Sequence, residues 1–310
     1  MRNLSILIPT YNDICVSHVE DLHQLCAHTP QLDYEIIVAD DGSTEQSAID
    51  ANRQINDISH CRYIIRTQNV GRAAIRNFLA QSAQYDHLLF IDSHMSVIRE
   101  DFITRYLQYA DTHPIICGGY TIPKEVSPQP ENLRWKYEMK CLHLQTAEER
   151  EKNTYANFHT SNFLITKSVM LSHPLDERFR RYGYEDVLYG KHLSLSGIPI
   201  FHIDNPLGFS RFEPNERFMT KTEESLETLE EFREELKDLS RMLQMAQRLT
   251  ALRLRPLLRC LFHMFGKSMR RQLTGHHPSL LIFNLYRLGY LLALPVQESA
   301  CEVNICSVLP

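Results

Sequence analysis

Apolar residues come in short runs through the first two hundred positions, with amphipathic stretches between them. The runs at residues 5–8, 35–39, 62–66, 87–91, 115–120, 162–166 and 199–203 have strand length and are rich in Ile, Val, Leu and Phe, so they read as buried strands. Helical spacing marks residues 15–28, 46–56, 71–84, 101–112, 133–151 and 186–196 between them. Strands that alternate with helices predict βαβ units and an α/β fold with a mainly parallel, Rossmann-like sheet. Beyond residue 212 the pattern changes. Residues 213–238 are dense in glutamate, and residues 237–287 are dense in arginine and leucine. This part predicts two or three helices, broken near Pro256 and at residues 275–278. The division expected is a catalytic domain over 1–212 and a helical, basic, amphipathic extension over 213–310.

Composition narrows the class. With 310 residues, 43% hydrophobic and 23% charged, the chain can bury a sizeable core without covalent staples. A net charge of −5 gives no overall attraction to nucleic acid, and none is expected as a partner. The eight cysteines are scattered, with no CxxC pair, which suits reduced thiols and a cytoplasmic setting. The opening MRNLSILIPTYN has no signal-type apolar region and reads as the first strand. The most apolar late segment, 280–295, carries Asn284 and Arg287 and is shorter than the roughly 20 residues of a membrane span.

Candidate chemistry sits where such sheets bind ligands, beyond the carboxyl ends of the strands. Pro9, Thr10, Tyr11 and Asn12 follow the first strand, and Asp40, Asp41, Gly42 and Ser43 the second. Asn69 and Gly71 precede a helix carrying Arg72 and Arg76, and Asp92, Ser93 and His94 follow the fourth strand. Each loop taken alone is also an ordinary turn or helix cap. A carboxylate and an imidazole two residues apart can reach one divalent ion, and imidazole favours a transition metal such as Mn²⁺ over Ca²⁺. Glu185-Asp186 follows the glycine-containing loop Tyr182-Gly183-Tyr184; it is either a reactive acid pair or a helix-start pair favoured by the macrodipole.

The ordered segments SILIPTYN, VADDGSTE, NVGRAAIRN, FIDSHM and YGYEDVLYG resemble those of family 2 glycosyltransferases over about residues 1 to 230. The resemblance implies a GT-A fold and an inverting transfer of sugar from a nucleotide diphosphate-sugar, with a UDP-sugar favoured through Asp41, and with Mn²⁺ or Mg²⁺. By position, it implies that Pro9, Thr10, Tyr11 and Asn12 wall the nucleotide pocket and that Asp41 meets the base. Arg72 and Arg76 approach the nucleotide, and Asp92 and Ser93 belong to the donor site. Asp92 and His94 bind metal, with an Asp-Ser-His sequence in place of the family's Asp-x-Asp. Asp186 is the catalytic base, with Glu185 beside it. Many relatives place a further histidine ligand late in the sheet, where this chain has Phe209; His202 and Asp204 are the substitutes within reach in sequence, and His202 is taken as the third metal ligand. Tyr182 and Tyr184 are candidates for sugar stacking, as are Trp135 and Tyr137, although Trp135 also reads as core.

The resemblance implies an acceptor hydroxyl on a glycan or lipid-linked glycan, in surface polysaccharide or glycolipid synthesis. The basic, leucine-rich extension reads equally as a helix in an anionic membrane interface, on the inner face of the cytoplasmic membrane, or as a cap on the catalytic domain or a dimer partner. The glutamates of 223–235 read as a solvated helix face. A non-catalytic nucleotide-sugar-binding protein with the same fold is the alternative. A sugar nucleotidyltransferase would need a glycine-rich loop after the first strand, which Pro9-Thr10-Tyr11-Asn12 is not.

Overall fold

A computed structural model describes residues 2–295. Cys301 and Cys306, and the end of the basic extension, lie outside the described residues. The strands are β1 (Arg2–Thr10), β2 (Leu32–Asp40), β3 (Cys61–Ile65), β4 (His87–Ile91), β5 (Ile115–Cys117), β6 (Tyr120–Thr121), β7 (Asn162–Thr166), β8 (Phe201–His202) and β9 (Leu207–Gly208). The helices of the first two hundred residues are α1 (Val16–Ala27), α2 (Gln46–Asn52), α3 (Arg72–Ser82), α4 (Phe102–Leu107), α5 (Leu133–Cys141), α6 (Ala147–Glu151), α7 (Lys167–Ser172) and α8 (Glu185–Leu195). After them come α9 (Asn215–Glu231), α10 (Arg233–Leu236), α11 (Arg241–Ala251), α12 (Arg255–Thr274) and α13 (Leu280–Ala293).

The main sheet has the order β3-β2-β1-β4-β7-β5-β8. Strands β3, β2, β1 and β4 are parallel, β7 runs antiparallel between β4 and β5, and β8 returns parallel to β5. The mixed, mainly parallel sheet agrees with the fold expected. From β1 the chain winds outward through β2 and β3, then crosses back to lay β4 on the other side of β1. The carboxyl ends of β1 and β4 therefore flank the switch in strand order, the place where open α/β sheets receive ligands.

Both faces of the sheet are covered, which is why its strands read as continuous apolar runs. One face carries Leu7, Ile37, Leu88 and Phe90, packed with α3 and α8; the other carries Ile6, Ile8, Val38 and Ile91, packed with α1 and α4. The expected strand 115–120 is shorter, because the chain bends at Gly118 and Gly119. A Cβ on Gly118 would lie 2.3 Å from the Tyr106 hydroxyl, and Gly119 has φ +74°. Beyond the bend, β6 pairs instead with β9 in a separate two-stranded ribbon. The expected helix 133–151 is likewise divided: Thr146 starts α6 by accepting the Glu149 N–H at 3.3 Å.

The boundary expected at residue 212 is not a gap in packing. Leu226 and Leu229 of α9, Leu236 of α10, Leu243 of α11 and Leu291 of α13 belong to the same buried cluster as Leu7 and Phe90. Phe232 stacks on Phe179 with ring centroids 3.9 Å apart. Apolar faces of helices after 212 thus complete the layer over the sheet. The break expected near Pro256 lies between Ala251, the end of α11, and Arg255, the start of α12, and Pro256 sits in the first turn of α12, where a missing N–H is harmless. The glutamates of α9 are not simply solvated. Glu223 accepts from Arg270 Nε at 2.8 Å and from the Tyr286 hydroxyl at 2.6 Å, and Glu227 accepts from the Tyr290 hydroxyl at 2.9 Å. They dock α12 and α13 onto α9. Among the described residues, no helix is long and apolar enough to cross a membrane.

Because Leu229 is fully buried in the shared cluster, Leu229→Ala is expected to lower stability by about 2–5 kcal/mol, the usual range for such truncations. Urea unfolding should remain one transition with a lower midpoint. A separate early transition confined to the C-terminal helices would show that they fold as an independent unit.

Candidate functional site

The loops at the carboxyl edge are tied to one another before any ligand is considered. Asn12 has φ 51°, a left-handed conformation that Asn tolerates. Its side-chain oxygen accepts the N–H groups of Thr44 at 2.8 Å and Glu45 at 2.9 Å, and its own N–H donates to Ser43 Oγ at 2.7 Å. Asn12 therefore clamps the β1 loop to the β2 loop and supplies the N-terminal partners that α2 lacks from its own cap residue. Pro9 and Thr10 are the last residues of β1, paired with Ala39 and Asp40, and Tyr11 stands 42% exposed beside them.

Asp40 is buried and holds the Ser43 N–H at 2.7 Å and the Tyr63 hydroxyl. Asp41 reaches across to the next loop, where its two oxygens accept the Val70 N–H at 2.9 Å and the Gly71 N–H at 3.0 Å. Burial pushes the Asp41 carboxyl above the ordinary carboxylate range, against the pull of these two N–H groups. Gly42 between the loops has φ +72°, and a Cβ there would lie 2.6 Å from the Gln68 carbonyl carbon. Only glycine allows this approach.

Gly71 begins α3, which carries two arginines toward the end of β4. Arg76 is buried and donates to Asp92 Oδ1 at 2.5 Å and to the Arg72 carbonyl at 3.1 Å. Burial alone would raise the Asp92 pKa, but the charge and hydrogen bond of Arg76 and the charge of Arg72 outweigh it, so the carboxyl sits below its usual range. Burial is also the main influence on His94, lowering its pKa and keeping the imidazole neutral with a lone pair to offer. Ser93 donates to Asp13 Oδ2 at 2.8 Å, and Arg211 donates to Asp13 Oδ1 at 3.0 Å.

From the other side, α8 presents its first turn. Gly183 (φ 101°) and Tyr184 (φ 68°) turn the chain left-handed just before it. Glu185 is buried 3.7 Å from Arg72, which also lies over the Tyr182 ring at 4.6 Å. Burial raises the Glu185 pKa, and the adjacent Asp186 adds to the rise while Arg72 opposes it. Asp186 is partly exposed. Its Oδ1 accepts the Val187 N–H at 2.8 Å, and its Oδ2 lies 3.6 Å from His159 Nδ1. Arg72 joins the two halves of the site: burial disfavours its charge, but Glu185, Tyr182, Asp92 and Asp186 together hold it positive. Lys221 of α9 approaches the same Tyr182 ring, 5.6 Å from its centroid. Asp41, Arg72, Arg76, Asp92, His94, Glu185 and Asp186 are thus linked, by contacts and by charge, at the carboxyl edge of the sheet.

His202 does not join them. It lies on β8, paired beside Cys117, with three inter-strand steps between β8 and β4, about 14 Å at the usual spacing. Both of its ring nitrogens are committed, one to Arg150 Nη1 at 2.7 Å and the other to the Thr154 carbonyl at 2.9 Å. Asp204 instead accepts the Ala147 N–H at 2.7 Å. The expected third metal ligand is therefore corrected: His202 is a structural histidine. Phe209 does come to the site, with its ring 5.6 Å from His94 in an edge-on arrangement, and it has no donor atom to offer.

Among the described residues, no group of three or more His, Cys, Asp or Glu side chains could hold a metal ion. The donors that remain are the second oxygen of Asp92 and the imidazole of His94. That pair suits a divalent ion only if phosphate oxygens and water complete its shell. Residues not anticipated from the sequence also contact this group: Asp13 bonds Ser93, Arg211 bonds Asp13, His159 lies beside Asp186 and Lys221 lies over Tyr182. Tyr120, which meets the His159 ring edge-on, donates to Glu138 at 2.8 Å, and Arg134 pairs with Glu138 at 2.7 Å. Trp135 is partly buried on α5, and its backbone N–H donates to the Asn132 cap at 2.9 Å.

The family model described as Glycosyl transferase family 2 matches residues 5–171, more than half of the chain. The chain belongs to glycosyl transferase family 2. Among curated relatives of this family-2 chain, it is 25% identical over 257 residues to a chondroitin synthase of Pasteurella multocida, covering 71% of this chain and 26% of that protein. An uncharacterized glycosyltransferase of Haemophilus influenzae is 33% identical over 120 residues, covering 38% of this chain and 47% of that one. The chain thus spans about a quarter to a half of the length of these two relatives. Solved structures share its GT-A fold. S. aureus TarS 1-349 in complex with UDP has a TM-score of 0.51 at 16% identity, with 94% of this chain and 90% of that one covered. The mannosyltransferase PcManGT of Pyrobaculum calidifontis, in complex with GDP-Man and Mn²⁺, has a TM-score of 0.56 at 13% identity, with 94% and 85% covered.

The Arg76–Asp92 pair yields a direct test. Arg76→Met leaves a buried carboxylate without its partner, which typically costs about 3–5 kcal/mol. A carboxyl with a depressed native pKa stabilises the fold above its unfolded pKa and loses that contribution as pH falls through the native value. Arg76→Met is therefore expected to be less stable at neutral pH and to lose less further stability on acidification than the wild type. Guanidinium unfolding at several pH values would measure both. Parallel wild-type and variant stability curves below pH 5 would show that the pair does not govern this titration.

Proposed function

We propose that this chain is an inverting glycosyltransferase that moves a sugar from a nucleotide diphosphate-sugar to a hydroxyl of a glycan or lipid-linked glycan. The observation that carries this reading is the convergence, around Arg72, of a donor-side pair (Asp92, His94) and an acceptor-side pair (Glu185, Asp186). Asp41 and the loop of Pro9, Thr10, Tyr11 and Asn12 frame the nucleoside end, and a UDP-sugar is the donor that Asp41 favours. Bound Mn²⁺ or Mg²⁺ on Asp92 and His94 would offset the charge that develops on the departing diphosphate. Ser93 keeps that loop in place through Asp13.

Asp186 is the general base. Its partial exposure lets it reach an acceptor, and the Val187 N–H holds one of its oxygens while the other lies 3.6 Å from His159 Nδ1. The acceptor oxygen attacks the anomeric carbon while its proton passes to Asp186, and the bond from that carbon to the diphosphate oxygen breaks. One such displacement inverts the centre. General base catalysis of this kind contributes about 10²–10⁴-fold. Glu185, buried against Arg72, orients the site beside the base, and Arg72 adds a fixed positive charge between the two halves.

The family match supports the reaction class. The resemblance to chondroitin synthases supports a polymer or its precursor as the setting, and the complexes of TarS with UDP and of PcManGT with GDP-Man and Mn²⁺ support the donor type and the ion.

Asp186→Asn is expected to fold, to bind nucleotide sugar as the wild type does, and to transfer at least about a hundred-fold more slowly. Thermal shift with a panel of nucleotide sugars and a transfer assay would separate binding from turnover; unimpaired turnover would remove Asp186 from the role of base. Asp92→Ala is expected to abolish the dependence of donor binding on Mn²⁺ in calorimetric titrations. Donor binding by the wild type that is indifferent to chelator would exclude the ion from the donor site.

A further inference from the structure

Residues 239–295 hold nine Lys or Arg and no Asp or Glu. Part of that charge serves the fold. Arg270 is bonded to Glu216 and Glu223, and Arg255 donates to the carbonyls of Leu292 and Leu294 at 3.1 and 2.8 Å. Arg287 is half-buried over the Phe283 ring, and the other six point outward: Arg241, Arg248, Arg253, Arg259, Lys267 and Arg271 are exposed, and among the described residues none has a carboxylate partner.

Helix α12 adds the second element. Its inner side is taken by Phe262, Gly266 and Met269, and Phe262 packs so closely on α13 that a Cβ on Gly289 would lie 2.5 Å from its ring. Its outer side shows Leu257 (57% exposed), Leu261 (41%), Met264 (65%) and Phe265 (51%). At 3.6 residues per turn these four fall within an arc of about 100°. Lys267 and Arg271 border that arc, and Leu252 and Leu254, just before the helix, are exposed as well. A groove of about 590 Å³ runs beside it, lined by Arg255, Arg259 and His263 together with Pro256 and Met264.

We propose that the outer face of α12 is a docking surface for an anionic lipid bilayer, with the four apolar side chains entering the headgroup boundary and the unpaired cations meeting lipid phosphates. An apolar stripe edged with Lys and Arg is the arrangement of an interfacial helix. Charge complementarity selects the occupant. A second copy would set like charges against each other, and a nucleic acid would leave the apolar stripe uncovered. The groove, with cations on its walls and apolar side chains beside them, suits a phosphate headgroup and its first methylenes. The proposal does not depend on the transferase reading, since none of these residues belongs to the cleft.

The test is co-sedimentation of the full chain with phosphatidylcholine vesicles, with and without phosphatidylglycerol, over a range of salt. Binding is expected with the anionic vesicles only and is expected to weaken as salt rises. The triple variant Arg259→Gln, Lys267→Gln, Arg271→Gln should reduce the partition coefficient by about ten-fold or more, from the usual contribution of each cation near an anionic surface. A second variant, Leu257→Gln, Leu261→Gln, Met264→Gln, should reduce it at every salt concentration, with circular dichroism and the unfolding midpoint unchanged because the sites are exposed. Absence of binding by the wild type, or equal binding to neutral vesicles, overturns the proposal. So does dimerisation in sedimentation velocity that the second variant abolishes, which would assign the face to another copy of the chain, or retention on nucleic acid with no retention on vesicles.

Discussion

The buried contact between Arg76 and Asp92 is what the rest of the site is arranged around. Two opposite charges have been taken out of water beside the switch in strand order, and neither would be tolerated there alone. Each is also fixed by its setting: Arg76 bonds back to the Arg72 carbonyl on its own helix, and Asp92 directly follows the central strand β4, its N–H donating to the Ser161 carbonyl. One carboxylate oxygen is thereby consumed, and the other is left without that partner. The same helix sets Arg72 against Glu185, so one short element connects the strand-end acid to the acid pair of α8. The loops of β1 and β2 are held by a comparable economy of groups, with Asn12 and Asp41 each binding two backbone N–H groups of a different loop.

The surroundings of His159 are built differently. Tyr120, Glu138 and Arg134 form a connected set, with Tyr120 against the His159 ring and Arg134 over the rings of Phe209 and Phe218. Burial raises the pKa of the Tyr120 hydroxyl, and the neighbouring Glu138 raises it further, so it remains a donor. His94, Phe209, Arg134 and Phe218 therefore lie in succession, linking the donor-side imidazole to the helices that follow residue 212.

Much of this was legible in the chain. Strand identity was readable because both faces of the sheet are covered, which leaves uninterrupted apolar runs, and the ligand-facing loops followed from where those runs stop. The assignments that required knowing which strands become neighbours were not readable. His202 ends a strand just as Asp92 nearly does, yet its strand lies at the far edge and Arg150 takes its lone pair. Asp13, His159 and Arg211 were missed for a related reason. Their partners are Ser93, Asp186 and Asp13, at separations of 80, 27 and 198 residues, where local spacing carries no signal. The split at residue 212 followed a real change in composition, but composition reports the outer face of a helix as well as the inner one. The inner faces of α9 and α11 continue the apolar layer of the sheet.

Helix α9 is held at both ends of its influence. Glu223 and Glu227 bind the tyrosines of α13, Glu224 accepts the Tyr182 N–H at 3.1 Å, and Lys221 leans on the Tyr182 ring. A hybrid protein spliced at the compositional change would inherit a loop before α8 with nothing beneath it, and a helical cap whose Glu224 and Lys221 had lost Tyr182. The practical seam for recombining this scaffold with another therefore falls outside the interval from Tyr182 to Tyr290, and the helices after residue 212 travel with the enzyme rather than as an exchangeable tail.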